Sequence, residues 1–173
     1  MRGWGKSYDV DTVTRHPKWG DLPGEDTWDV VIITLTEHPT GSNIKAGLLP
    51  EDGRNPGGSG WVTGWGVQTH GDPHPGLSLF LMGTEMRVQT DEEAANSWYD
   101  GEYNPDTHIS VYSGHSNGCN GDSGGPLTIG DRVYGVASFV GEGCKLSMPT
   151  VYTRLGAMRD WICANSDNAI NGC

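Results

Sequence analysis

The stretch Cys119-Asn120-Gly121-Asp122-Ser123-Gly124-Gly125-Pro126-Leu127 sets a hydroxyl among glycines and beside a carboxylate. A seryl hydroxyl is a weak nucleophile at neutral pH and attacks a carbonyl only with a base positioned next to it. The reaction also needs backbone N–H donors aimed at the oxygen that becomes negative in the tetrahedral intermediate. Gly121 gives such donors an approach free of side chain, and Gly124 and Gly125 permit unusual backbone angles and close passage of another chain. The chemistry this points to is acyl transfer. Residues 121–125 also satisfy G-x-S-x-G, the strand–turn–helix elbow of a different hydrolase architecture. That elbow runs into a helix and its histidine follows its serine. Here Pro126 and a β-branched segment follow, and no histidine lies beyond His115, which argues against the elbow.

The elements that must hold this loop read as strands between turn clusters. Asp29–Leu35 is a nearly continuous apolar, β-branched run and predicts a buried strand. Gly60–Val67 alternates large residues with glycine, a sign of close backbone approach. Leu77–Leu81, Met86–Gln89, Arg132–Phe139 and Thr150–Thr153 are further strand candidates. Thr90 and Glu93 fit a capping box opening a helix over Asp91–Tyr99. Gly156–Ala164 places Met158, Trp161 and Ile162 on one face of a short terminal helix. Lys45–Gly60, rich in Gly, Pro, Asn and Asp, reads as a linker.

Composition agrees. The 173 residues hold 27 Gly and 10 Pro, the signature of many turns. A net charge of −11 argues against nucleic acid and anionic membrane as partners. No apolar run is long enough for a membrane span. The four cysteines lack metal-binding spacing, and their even number suits disulfides and an oxidising compartment. His70 and His74 with Asp72 form a weak metal pattern, but Gly71 and Pro73 mark a solvated turn, so no metal or cofactor is expected.

CNGDSGGPL resembles the active-site segment of the chymotrypsin/trypsin family of serine proteases. Other segments agree in order: Asp29–Leu35 with the strand that begins at the catalytic aspartate, Trp61–Gly66 with the GWG strand, Gly135–Val140 with the strand that pairs with substrate, and Pro149–Arg154 and Trp161-Ile162 with the ending. The resemblance implies an all-β fold, a chymotrypsin-like double six-stranded β-barrel with a short C-terminal helix, its first barrel incomplete here. It implies a remnant of that barrel over 1–45, a linker over 46–59, the second barrel over 60–155 and a helix and tail over 156–173. By resemblance Ser123 is the nucleophile, Asp29 orients the imidazole base, and the N–H groups of Gly121 and Ser123 form the oxyanion hole. Ser138 stands beside the carboxylate. Asp122 is the zymogen-switch residue that pairs with a new amino terminus, and Cys119–Cys144 is the bridge framing the specificity pocket.

Asn117, Asn120, Ser138, Phe139, Val140 and Thr150 are the substrate-binding positions the resemblance implies. Neutral Asn117 removes the charge that a Lys or Arg side chain would need, and Val140 with Thr150 narrows the slot as in pancreatic elastases. Preference is expected for a small apolar residue before the scissile bond. Cys163 and Cys173 either close a C-terminal loop or pair with a segment outside the chain. Gly60 and Ile129 stand where many members carry a bridged pair. Only His16 precedes Asp29, in an Arg15-His16-Pro17 context unlike that of a catalytic histidine. Such barrels run to about 200–250 residues, so about 60–70 residues bearing the base, an activation terminus and most of the first barrel are expected outside this sequence. The implied partners are protein or peptide substrates and protein protease inhibitors, for a monomeric, secreted enzyme. Without its base the chain is expected to be inactive alone, and the rival reading is a non-catalytic, protein-binding homologue.

Overall fold

The computed structural model describes residues 6–20, 26–68, 76–99, 101–167 and 169–173. In chain order they form β1 (Val10–Arg15), β2 (Val31–Leu35), β3 (Ser59–Gly64), β4 (Met82–Val88), α1 (Asp91–Ser97), β5 (His108–Tyr112), β6 (Pro126–Ile129), β7 (Arg132–Val140), β8 (Thr150–Arg154) and α2 (Arg159–Asn165). A 3₁₀ turn spans Glu142–Cys144. β1 and β2 pair as an antiparallel ribbon, and the other six strands close a barrel in the order β3-β4-β5-β8-β7-β6. This is the mostly β, chymotrypsin-like architecture the sequence resemblance implies, with a closed six-stranded barrel and two short helices. Among the described residues no helix is long and apolar enough to cross a membrane.

Alternate residues of the strands fill the barrel: Val62, Met86, Val88, Ile109, Val111, Leu127, Ala137 and Tyr152. Each fully buried aliphatic side chain among them is worth about 1.5–3 kcal/mol of transfer free energy. Gly60 lies against Ile129 and Leu127, and a Cβ there would stand 3.0 and 2.8 Å from their side-chain carbons. A second cluster gathers Val30, Leu49, Leu155, Met158 and Ile162, with Trp28 and Trp161 at its margin. It seats α2 under the ribbon through the Met158 and Ile162 face. Cys163 pairs with Cys173, and Asn171 O accepts from Leu49 N at 3.1 Å, so the tail folds back beside this cluster.

Several expectations need correction. Asp29–Leu35 is not a buried strand throughout: β2 starts at Val31, and Val31 and Ile33 are 45% and 55% exposed. Ile33 pairs with Val13, itself 63% exposed, because the two-stranded ribbon lays one face on the second cluster and turns these residues outward. Leu77–Leu81 forms no strand. Leu77 makes a lone bridge to Val67, and the Ser78 hydroxyl donates to Phe80 O (2.8 Å) and accepts from Phe80 N (3.2 Å). That local hydroxyl–backbone turn competes with ladder formation. α1 ends at Ser97, although its capping box is present: Glu93 N donates to Thr90 Oγ1 at 3.1 Å and Thr90 N to Glu93 Oε2 at 2.9 Å. α2 begins three residues late because 155–159 are wound in tight turns, with Met158 N on Leu155 O and Arg159 N on Gly156 O. Pattern reading missed β5, which is buried on both faces: Ile109 and Val111 fill the barrel, and polar His108 and Ser110 alternate with them. Both are satisfied inside; Ser110 Oγ donates to Gln89 Oε1 at 2.7 Å.

Candidate active site

The loop between β5 and β6 is wound by two short turns, with Asp122 N on Cys119 O at 3.0 Å and Gly125 N on Asp122 O at 2.9 Å. Ser123 sits exposed between them. Gly121 and Gly124 have φ of +97° and +80°, angles that favour glycine. The Cys119–Cys144 bridge ties the start of the loop to the 3₁₀ turn. Asp122 turns its carboxylate inward, accepting from Gly66 N at 2.8 Å and from Cys119 N at 3.0 Å. It lies so close to the Gly64–Gly66 backbone that a Cβ on either glycine would fall 2.0 or 2.4 Å from it. This cradle was not assigned from sequence. Its signal was the pair of glycines flanking Trp65, a spacing the aspartate itself explains. Burial pushes the Tyr152 hydroxyl pKa up, and the Asp122 charge adds to the effect.

Asp29 reaches the site from the stretch just before β2. Trp28, its predecessor, holds a left-handed φ of +61°, a strained angle for a bulky residue. Thr153 Oγ1 donates to Asp29 O at 2.7 Å, and Ser138 Oγ donates to Asp29 Oδ2 at 2.7 Å. The residue before Ser138 serves the serine loop: Gly124 N donates to Ala137 O at 2.9 Å and Ala137 N to Gly125 O at 2.8 Å. One dipeptide of β7 therefore holds both the carboxylate of Asp29 and the loop that carries Ser123. β6 pairs with β7 only as far as Val136, so Ser138–Val140, paired with β8 on one side, has no strand partner on the other among the described residues. His16 is buried, stacked on Trp28 at 4.7 Å and set edge-on to Trp161 at 4.7 Å.

A cavity of about 250 Å³ opens beside Ser123, lined by residues 118–120, Asp122, Ala137–Val140 and Thr150. Asn120, Ser138, Phe139, Val140 and Thr150 are thus gathered at one mouth. Asn117 stands behind its wall and lines a larger cavity of about 670 Å³ with Asp122, Cys144, Lys145 and Tyr152. Its amide is occupied: Nδ2 donates to Lys145 O (2.9 Å) and Met148 O (3.0 Å), and Oδ1 accepts from Thr150 Oγ1 and Gly118 N. Asn117 thereby clasps the 145–148 segment to β8 and offers no free polar atom to a substrate. The His70-Gly71-Asp72-Pro73-His74 motif lies outside the described residues.

The Trypsin family model matches residues 2–162. The chain is 37% identical to "Fibrinolytic enzyme, isozyme C" of Lumbricus rubellus, over 91% of this chain and 69% of that one. It is 30% identical to "Chymotrypsin-like elastase family member 1" of Canis lupus familiaris, over 92% of this chain and 65% of that one. Among such curated relatives it spans as little as 52% of their length. Its fold superposes on mouse neuropsin, a serine protease, with a TM-score of 0.82 at 24% identity, covering 92% of this chain and 72% of the other. The order of motifs, the closed barrel and the glycine-bound serine loop have one common account: the chain belongs to the trypsin family.

Proposed function

We propose that this chain carries the serine half of a serine-type endopeptidase that cleaves peptide bonds through an acyl-enzyme. Ser123 Oγ attacks the scissile carbonyl, and the N–H groups of Gly121 and Ser123 face the oxygen that becomes negative. Asp29 orients an imidazole, which takes the Ser123 proton and returns it to the leaving amine. The imidazole comes from protein outside this sequence, since His16 is committed to the Trp28–Trp161 stack. The observation that carries the reading is the Ala137–Ser138 dipeptide, which binds both the Ser123 loop and the Asp29 carboxylate. An open edge at Ser138–Val140 suits a substrate strand added antiparallel.

The residue before the scissile bond is small and apolar in this proposal. Val140 and Thr150 both line the cavity beside Ser123, and Asn117 has no atom free to meet a cationic side chain. Such a slot grades substrates by about 1–3 kcal/mol per methylene. Secretion as a monomer that meets protein substrates and protein inhibitors accords with the two disulfides. The competing reading, a non-catalytic homologue that binds proteins in the same cleft, is favoured by the burial of His16 away from solvent.

The experiment is hydrolysis of a blocked Ala-Ala-Pro-Ala ester by the longest natural protein containing this chain, with Ser123→Ala as control. Turnover lost on that substitution is the expected result. Peptide binding without turnover in the full, activated protein would establish the competing reading.

A further inference from the structure

In an asparagine followed by glycine, the glycine nitrogen meets the side-chain amide carbon with no Cβ in the way, and the pair is prone to spontaneous loss of ammonia. The chain has three such pairs: Asn117-Gly118, Asn120-Gly121 and Asn171-Gly172. The fold treats them differently. Asn117-Gly118 is locked. Gly118 is buried, and its N–H is spent on Asn117 Oδ1 at 3.1 Å and Thr150 Oγ1 at 3.0 Å. The Asn117 nitrogen that would have to leave is held by Lys145 O at 2.9 Å and Met148 O at 3.0 Å.

Asn120-Gly121 has none of these restraints. Both residues are exposed, and they are the central pair of the turn that Asp122 N closes on Cys119 O at 3.0 Å. Such a turn uses the N–H of its fourth residue and leaves that of its third unused. Among the described residues nothing accepts from Gly121 N, and the Asn120 side-chain amide makes no hydrogen bond. Asn171-Gly172 repeats the arrangement on the tail, exposed and central to the turn that Cys173 N closes on Ile170 O at 3.3 Å. Gly172 has a φ of +98°, against +97° at Gly121.

We propose that Asn120 is a self-modifying residue whose loss of ammonia ages the serine loop. Gly121 N gives its proton to solvent and attacks Asn120 Cγ. A C–N bond closes a succinimide ring as the Cγ–Nδ2 bond breaks, and Nδ2 leaves as ammonia with a proton from water. Water then opens the ring. Opening at Cγ leaves aspartate; opening at the main-chain carbonyl leaves isoaspartate, in which the chain runs through the side chain and is one carbon longer. The loop has no slack for that carbon. Asn120 O accepts from Val67 N at 3.0 Å, the Asp122 carboxylate holds Gly66 N and Cys119 N, and a Cβ on Gly121 would stand 2.3 Å from Leu77 Cδ2. Gly121 N–H therefore leaves its place, and with it one of the donors that the oxyanion requires. That loss of activity rests on the peptide-cleaving reading above; the modification itself does not.

The test stores the longest natural protein containing this chain in warm neutral buffer and samples it over time. In the Ser123→Ala form, peptide mapping by mass spectrometry follows the amide-to-acid mass gain at each Asn-Gly pair, and labelling by isoaspartyl methyltransferase counts isoaspartate. Acid is expected at Asn120 and Asn171, with Asn117 slower by at least about tenfold, as misplacement of the attacking atom dictates. The unsubstituted protein should lose ester turnover in step with isoaspartate at Asn120. Asn120→Gln, whose longer side chain closes a ring far more slowly, should hold its own starting rate, and Asn171→Gln should decay as the parent does. No acid at Asn120 while Asn171 converts, conversion at Asn117 as fast as at Asn120, or the same decay of turnover in Asn120→Gln overturns the proposal. Absence of turnover at the outset overturns the peptide-cleaving reading and the loss of activity with it, and the mass map then decides the modification alone.

Discussion

Gly66→Ala should dislodge Asp122. A methyl group on Gly66 would stand 2.4 Å from Asp122 Cγ and Oδ2 and 2.6 Å from Oδ1, so no small adjustment accommodates it. The carboxylate must leave the cradle and give up its bonds to Gly66 N and Cys119 N. Hydrogen bonds to a charged group contribute about 1.5–3 kcal/mol each. Asp122 is half-buried and regains water when displaced, so the lower end applies and two bonds give about 3 kcal/mol. Asp122→Ala should cost a similar amount, because it leaves the same two N–H groups unpaired. The double substitution should cost no more than either alone, since the methyl then fills the space the carboxylate vacates. Urea unfolding of the parent, both single variants and the double gives the coupling energy directly. Costs that simply add, or a Gly66→Ala cost under about 1 kcal/mol, would refute the cradle as the reason for that glycine.

In the longest natural protein containing this chain, Ser138→Ala removes the 2.7 Å bond to Asp29 Oδ2 and should lower kcat/KM about tenfold, or about 1.4 kcal/mol, with KM little changed; steady-state kinetics on a tetrapeptide ester checks it. Val140→Gly with Thr150→Gly should raise the ratio of Phe to Ala turnover at least about tenfold, read from competing substrates, while Asn117→Asp alone should confer no cleavage after Lys. Thr90→Ala should cost about 1 kcal/mol in chemical unfolding through loss of the cap on α1. Acid should loosen the same helix. Burial pushes the Asp91 carboxyl up, but Arg154, with Asn55 and Tyr103, outweighs it and holds it below its ordinary 3.8, while Arg87 and the Thr90 N–H bring Glu93 down to about 2. A carboxylate depressed in the fold contributes stability above its unfolded value, and that stability is lost as pH falls through the folded one. The melting temperature should therefore drop between about pH 4.5 and 2, and less steeply in Asp91→Asn/Glu93→Gln.

The sequence is most legible where a residue type answers a backbone demand. Gly121 and Gly124 sit at positive φ, and the Thr90–Glu93 capping box forms as its spacing predicts. It is least legible where tertiary contacts reverse a local preference. β5 buries His108 and Ser110 because partners distant in the chain satisfy them: Asp26 O for the imidazole and Gln89 for the hydroxyl. Val31 and Ile33 read as core, yet a two-stranded ribbon covers only one of its faces. Asn117 illustrates the same limit at the site. Its neutrality is visible in the sequence, but its bonds to Lys145, Met148 and Thr150 depend on where a loop 28 to 33 residues away returns.

The barrel order β3-β4-β5-β8-β7-β6 places the last strand synthesised between two made earlier. β5 and β7 have no direct partner in each other, and β8 bridges them through His108↔Thr153 on one side and Val136↔Thr153 on the other. During translation, at about 5–20 residues per second, the serine loop emerges before the strand that completes the wall of its cavity. Thr150, on that wall, and Thr153, which holds the Asp29 carbonyl, arrive together on β8. A ribosome-bound chain that ends before Thr150 therefore has its serine but lacks one wall of the cavity beside it. The order of the strands thus delays the wall of the cavity beside Ser123 until β8 has been made, a dependence set by topology alone.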